Sequence, residues 1–197
     1  MKKNIGTICV HGKNKRKDID KTGAVSFPIY QSATFVHPAF GETTGYDYSR
    51  LQNPTREEVE RIVNDLEEGV DAIAFSTGMA ALTVLLEMLA PGDNIVSTDD
   101  LYGGTIRLMD NVLSKNGITT TFVETDNIKN IEDAITKNTK MIYIETPTNP
   151  MMKVSDINEI SKIAKKNNCI LVVDNTFLTP YFFKQVSSCF LFAWEWS

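Results

Sequence analysis

Strict alternation of short apolar runs with longer amphipathic stretches is the feature that most limits what this chain can fold into. The runs lie at 71–75 (DAIAF), 94–98 (NIVST), 118–124 (ITTTFVE), 140–145 (KMIYIE) and 169–174 (CILVVD). Between them, residues 78–90, 104–115, 127–137 and 155–167 carry helical patterns. Runs of the first length suit strands and stretches of the second suit helices. Strand and helix in turn give βαβ units, so the chain is predicted to be α/β, with a mainly parallel sheet covered on both faces. Ligands of such sheets bind beyond the carboxyl ends of the strands, which directs attention to the residues just after each run.

The segment before the alternation has a different character. Residues 1–53 are weakly periodic and rich in loop formers (Gly6, Gly12, Gly23, Pro28, Pro38, Gly41, Gly45), and read as an extended arm with little regular structure. At Asn53-Pro54-Thr55-Arg56-Glu57-Glu58 an N-cap, a proline at the first helical position and early acidic residues predict a helix over 54–68. Val59, Ile62, Val63 and Leu66 would share one face of it.

Charge and composition narrow the function classes. Twenty Lys plus Arg against 25 Asp plus Glu give a net charge of −5, which argues against nucleic acid or an anionic membrane as partner. With 42% hydrophobic and 23% charged residues the chain is of ordinary globular composition, and 197 residues would suit one domain. Cys9, Cys169 and Cys189 are odd in number, widely spaced and without a CxxC, so neither a disulfide framework nor a zinc site is expected. Residues 1–10 carry no apolar run of signal-peptide length, and no stretch reaches a membrane span. The expectation is a cytoplasmic protein without a metal. His11 and His37 give histidine chemistry little material, and neither GxGxxG nor GxxxxGK[ST] is present.

The residues after the runs offer chemistry, each with a plainer alternative. Ser76-Thr77-Gly78-Met79 opens a helix, where free amides and the helix dipole suit a phosphate; the same sequence is also an ordinary cap. Tyr102, in Asp99-Asp100-Leu101-Tyr102-Gly103-Gly104, is a stacking platform or simply a tyrosine before a glycine turn. Two prolines in Glu145-Thr146-Pro147-Thr148-Asn149-Pro150 fix a turn that presents Asn149. Asp174 follows the apolar Ile170–Val173 and must cap a helix or meet a positive partner. In the arm, Tyr48 and Arg50 are two residues apart; in an extended segment they would face the same side as a phosphate clamp.

Taken in order, Tyr48-Ser-Arg50, Asn53-Pro-Thr-Arg56, Ser76-Thr-Gly78-Met79, Leu101-Tyr102-Gly-Gly, Glu145-Thr-Pro-Thr-Asn149-Pro and Val173-Asp174-Asn-Thr176 resemble the Cys/Met-metabolism (transsulfuration) enzymes that use pyridoxal 5'-phosphate, over about residues 5–182. Cystathionine γ-synthase, cystathionine lyases, O-acetylhomoserine sulfhydrylase and methionine γ-lyase belong to that family. The resemblance implies a fold type I (aspartate aminotransferase-like) domain of three αβα layers, incomplete here, with strand order 3-2-4-5-6-7-1. It implies a homotetramer acting on a small amino acid, by β- or γ-elimination or γ-replacement on cystathionine or an activated homoserine. Gly78 and Met79 would hold the cofactor phosphate through their amides, with Tyr48 and Arg50 reaching it from a neighbouring subunit. Tyr102 would stack on the ring and is the one residue given a catalytic role. Asn149 would bond the ring oxygen, Thr176 would support it, and Asp174 would pair with the ring nitrogen.

The sequence also departs from that pattern. The family's Schiff-base lysine lies in a Ser-x-Thr-Lys stretch some two dozen residues beyond the fifth strand, and no such stretch occurs here. The expected organisation is an arm over 1–53, a partial cofactor-binding domain over 54–182, and an atypical tail over 183–197 that carries both tryptophans and reads as out of frame. The C-terminal domain is expected to be absent and the 197-residue product inactive. The sheet is expected to stop at the fifth run, so that the 71–75 strand loses the two strands joining it to the rest. Gly104 stands where methionine γ-lyases typically carry a cysteine, and Asp100-Leu-Tyr-Gly-Gly-Thr-x-Arg107 resembles cystathionine γ-synthases and cystathionine lyases best.

Overall fold

Capping and close packing build the N-terminal part of the chain. The computed structural model describes residues 3–13, 23–182 and 191–193, in two units, 1–74 and 75–197. In the first unit helix α1 (Ile5–His11) is capped by Asn4, whose side chain accepts the Thr7 amide, and ends at Gly12 with φ 65°. Residues 1–53 read as an extended arm with little regular structure, and α1 is a helix that this reading does not place: two cap residues hold a segment too short to show a period. Gly12 is doubly required, by its positive φ and because a Cβ there would stand 2.4 Å from Arg61 Nη1. Arg61 is itself fixed by Glu58 (2.7 Å) and Asp65 (3.0 Å) on helix α2 (Pro54–Glu67). Asn53 caps α2 through the Thr55 amide at 2.8 Å. Ile62, Val63 and Leu66 are half-buried, whereas Val59, expected on the same face, is 52% exposed.

Residues 71–75 are not a strand, contrary to the sequence reading. A strand must pair its main-chain groups, and among the described residues this run pairs with no strand. The Ala74 amide goes instead to Glu60 Oε1 (2.9 Å) and the Ala72 amide to Asp71 Oδ1 (2.8 Å). Ile73 and Phe75 are left exposed.

The second unit follows the alternation closely: helix α3 (Gly78–Leu86), strand β1 (Asn94–Thr98), α4 (Gly103–Asn111) with a 3-10 turn at Leu113–Asn116, β2 (Thr119–Val123), α5 (Ile128–Ala134), β3 (Thr139–Glu145), α6 (Ile157–Lys166), β4 (Ile170–Asp174), the single turn α7 (Thr179–Phe182) and β5 (Leu191–Ala193). The strands pair in parallel in the order β2-β1-β3-β4-β5. With the 71–75 run counted first, the strands β2-β1-β3-β4 read 3-2-4-5, as the resemblance implies. The expectation that the sheet stops at the fifth run is corrected by β5, which pairs along the open edge of β4; an unpaired strand edge is a template for any extended segment. The rest of the 183–197 tail lies outside the described residues.

The two faces of the sheet carry separate cores, which gives three αβα layers. Val96, Ile142, Ile144, Leu171 and Val173 point to one face, under Ile131 of α5 and Ile157, Ile160 and Ile163 of α6. Ile95, Met141, Tyr143 and Val172 point to the other, under Leu82 and Leu86 of α3 and Met109 of α4. The period of two along each strand makes both faces apolar, as a parallel sheet buried on both sides requires.

A buried polar clamp holds the first three strands in register at their amino ends. Asn94 Nδ2 donates to Thr119 Oγ1 and Thr121 Oγ1 of β2, both at 3.1 Å, while Asn94 Oδ1 accepts from Thr139 Oγ1 of β3 at 2.9 Å. Asn94→Ala removes a buried amide that makes all three bonds and takes the acceptor from the buried Thr139 hydroxyl, so it is expected to cost about 1–3 kcal/mol in equilibrium urea unfolding. Thr121→Ala, which removes one partner nearer the sheet's edge, should cost less.

Candidate functional site

The carboxyl edge of the sheet gathers acidic groups. Register places Glu145, the last residue of β3, beside Asp174, the last of β4. Asp174 is gripped from both sides: its Oδ2 accepts from the Tyr143 hydroxyl (3.0 Å), and its Oδ1 accepts from the Thr176 amide (3.1 Å) and hydroxyl (2.6 Å). Tyr143 is fully buried. Its burial, and then the Asp174 charge, push its pKa well above 10, so it stays a neutral donor. Among the described residues no lysine, arginine or histidine lies within ion-pair distance of Asp174 or Glu145.

Glu145 is 5% exposed and is held by main-chain amides rather than by a cation. Its Oε2 accepts from the Tyr102 amide at 3.0 Å, and the Asn149 amide also bonds its carboxylate. Burial raises its pKa from 4.5 to about 7; the Tyr102 amide opposes the rise, and the charges of Asp174 and Asp100 add to it. One carboxylate therefore ties the start of α4 to the turn after β3.

That turn is pinned elsewhere too. Asp100 accepts from the Thr148 hydroxyl and from the Met151 amide (2.9 Å). The Lys153 amide donates to Thr148 Oγ1 (2.9 Å), and its ammonium lies 2.9 Å from Glu124 and 3.9 Å from Asp99. Beneath, a chain of buried hydroxyls runs from Thr98 to Thr125 (3.1 Å) to Ser155 (2.8 Å), and Thr98 also accepts the Glu145 amide (3.3 Å). The side chain of Asn149 is half-buried and makes no hydrogen bond among the described residues. Tyr102 is 47% exposed, and its side chain does not cap α4.

At the start of α3 the Thr77 hydroxyl accepts the Ala80 amide (3.0 Å). The amides of Gly78 and Met79 precede the first intrahelical bond and have no acceptor among the described residues. In the first unit Tyr48 and Arg50 do meet, with the guanidinium 4.9 Å from the Tyr48 ring centroid. They meet by a turn rather than along an extended strand: the Tyr48 carbonyl accepts the Leu51 (2.9 Å) and Gln52 (3.0 Å) amides.

Of the residues singled out from the sequence, Tyr102, Asn149, Asp174 and Thr176 follow β1, β3 and β4 at one edge of the sheet, and Gly78 and Met79 open α3. Glu145, Tyr143 and Asp100 were missed. Glu145 carried the same signal as Asp174, a carboxylate closing an apolar run, whereas Tyr143 reads in sequence as a core aromatic.

The family model of the Cys/Met metabolism PLP-dependent enzymes matches residues 6–188. A cystathionine gamma-lyase of Bacillus subtilis (strain 168) is 51% identical over 182 residues, 92% of this chain and 47% of the relative. A cystathionine gamma-synthase of Haemophilus influenzae is 45% identical over 177 residues, 89% of this chain and 47% of the relative. A crystal structure of cystathionine gamma-lyase from Lactobacillus plantarum complexed with L-serine superposes with a TM-score of 0.83 at 42% identity, covering 91% of this chain and 46% of that one. The chain belongs to the Cys/Met metabolism family of pyridoxal-phosphate-dependent enzymes. It spans about half the length of the curated relatives it matches. Among the described residues no helix is long and apolar enough to cross a membrane.

The raised pKa of Glu145 has a definite sign. A carboxyl group whose folded pKa exceeds its unfolded value favours the fold while protonated. Its contribution is complete below about pH 4.5 and is lost as pH rises through about 7. Thermal melts should show stability falling over that window, and Glu145→Gln should flatten the fall and melt higher than the parent at pH 8.

Proposed function

We propose that this chain seats pyridoxal phosphate at the carboxyl edge of its sheet, as part of an enzyme that breaks or exchanges the carbon–sulfur or activated γ-substituent bond of cystathionine or a homoserine derivative. Cystathionine lyase and cystathionine γ-synthase are the reactions favoured, because the relatives at 45–51% identity carry those names. The donor set supports the cofactor. A carboxylate held by Tyr143 and Thr176, with no cation beside it among the described residues, suits a protonated ring nitrogen. The free amides of Gly78 and Met79 suit a phosphate.

Asp174 would hold the proton on the ring nitrogen, while Tyr143 and Thr176 keep that carboxylate in place. Tyr102 would stack on the ring, Asn149 would orient it through its ring oxygen, and Thr176 would support it. Tyr48 and Arg50 would reach the phosphate of a neighbouring copy from the N-terminal arm, in a homotetramer. When bound, the cofactor supplies an electron sink for the charge left on the substrate's α-carbon. The cysteine pattern suits a cytoplasmic enzyme, with Cys9 and Cys169 both free.

The observation that carries this reading is the gripped, cation-free carboxylate of Asp174. Asp174→Asn keeps its shape but removes its charge, and should weaken pyridoxal phosphate binding to the 197-residue chain by about tenfold or more, since a charge-assisted bond is worth roughly 1.5–3 kcal/mol. Equilibrium dialysis reads this directly, and unchanged affinity would refute the assignment. The polypeptide taken by itself contains no Ser-x-Thr-Lys stretch and is proposed to hold the cofactor without turnover. Borohydride should then leave no pyridoxal covalently attached, as judged by intact mass.

A further inference from the structure

We infer that Gly104 and Glu145 are the positioning residues for the Tyr102 ring, one leaving bare main chain for the ring to rest on and the other fixing the main chain from which it hangs. The consequence for a ligand rests on the reading of Tyr102 as the cofactor's stacking platform. The placement of the ring does not.

A Cβ built on Gly104 would stand 2.3 Å from Tyr102 Cε1, 3.0 Å from Cδ1 and 3.1 Å from Cζ. The ring edge thus lies directly against the main chain of Gly104. No left-handed backbone calls for glycine here, because Gly104 lies within α4. The ring itself is what excludes a side chain. Gly103 provides an internal control: it is in the same helical turn, and a Cβ there would meet only Arg107 Nη1, at 3.4 Å. Alanine favours the helix over glycine at either position, so neither substitution threatens the fold.

The second restraint acts on the main chain. Tyr102 is the residue before α4 and does not cap the helix with its own side chain. Its amide is instead tied at 3.0 Å to Glu145, which also takes the amide of Asn149 and stands beside Asp174 in the β3–β4 register. Two residues from different loops are therefore indexed to one carboxylate on the rigid sheet. With its backbone fixed and its hydroxyl making no hydrogen bond among the described residues, the half-exposed ring has Gly104 as its seat. A methyl group there must swing the ring away.

The test uses the 197-residue chain with 13C-labelled tyrosine rings and 15N-labelled tyrosine amides. The chain has six tyrosines, and Tyr102→Phe assigns the signals of Tyr102. Gly104→Ala is expected to move the Tyr102 ring signals while Gly103→Ala leaves them in place, and Glu145→Ala is expected to move the Tyr102 amide. Ring signals unmoved by Gly104→Ala, or moved equally by Gly103→Ala, would overturn the role of Gly104. An unmoved amide in Glu145→Ala would overturn that of Glu145. Dialysis against pyridoxal phosphate then separates this inference from the cofactor reading. Gly104→Ala should weaken binding about three- to tenfold relative to Gly103→Ala, the range of one aromatic stacking contact. A displaced ring with unchanged affinity would uphold the positioning role and contradict Tyr102 as the platform.

Discussion

Parallel pairing of β3 with β4 sets Glu145 and Asp174 side by side where two buried apolar runs end, and the hydrogen bonds of the edge are arranged around that juxtaposition. Two carboxylates on neighbouring strands repel one another, and the buried one pays for desolvation as well. The chain answers with hydrogen-bond donors. Asp174 receives a phenol, an amide and a hydroxyl, and Glu145 receives two amides. These donors hold both carboxylates in place without adding a positive charge, so the edge keeps an acidic character that a cationic ligand group can meet.

Rigidity of that edge has its own source. The cores on the two faces of the sheet fix the strands, but the loops beyond them are fixed by polar contacts. Asp100 holds the 148–151 turn, and the buried Thr98–Thr125–Ser155 hydroxyls join the ends of β1 and β2 to the segment preceding α6. Every member of that chain has a partner, which is the condition under which a buried polar network stiffens a fold rather than weakening it. Loops held in this way can carry Tyr102 and Asn149 as reproducibly as a strand would.

The second unit was legible from sequence because its strands and helices obey different periods and are bounded by caps, as at Asp156, whose side chain accepts the Glu159 amide. Ile157, Ile160 and Ile163 recur at helical spacing within the 155–167 stretch and are buried on one face of α6. The 71–75 run shows the limit of such reasoning: its composition is that of a strand, but strand formation depends on a partner, which local sequence does not encode. Helix α1 shows the opposite failure, a segment with no visible period held by Asn4 and Gly12. Asp174 stood out in the sequence because charge after an apolar run demands a cap or a partner, and the family resemblance singled out the ring nitrogen as that partner. Tyr143 did not, because only the register of β3 against β4 brings its hydroxyl to that carboxylate.

The central claim is that the acidic carboxyl edge of the sheet, together with the start of α3, is a seat for pyridoxal phosphate. A crystal structure of the 197-residue chain grown with pyridoxal phosphate tests it most directly. The account predicts the ring nitrogen within hydrogen-bond distance of Asp174, the phosphate on the amides of Gly78 and Met79, and the Tyr102 ring against the face of the pyridine. Pyridoxal phosphate bound elsewhere, with Asp174 still occupied solely by Tyr143 and Thr176, would contradict it.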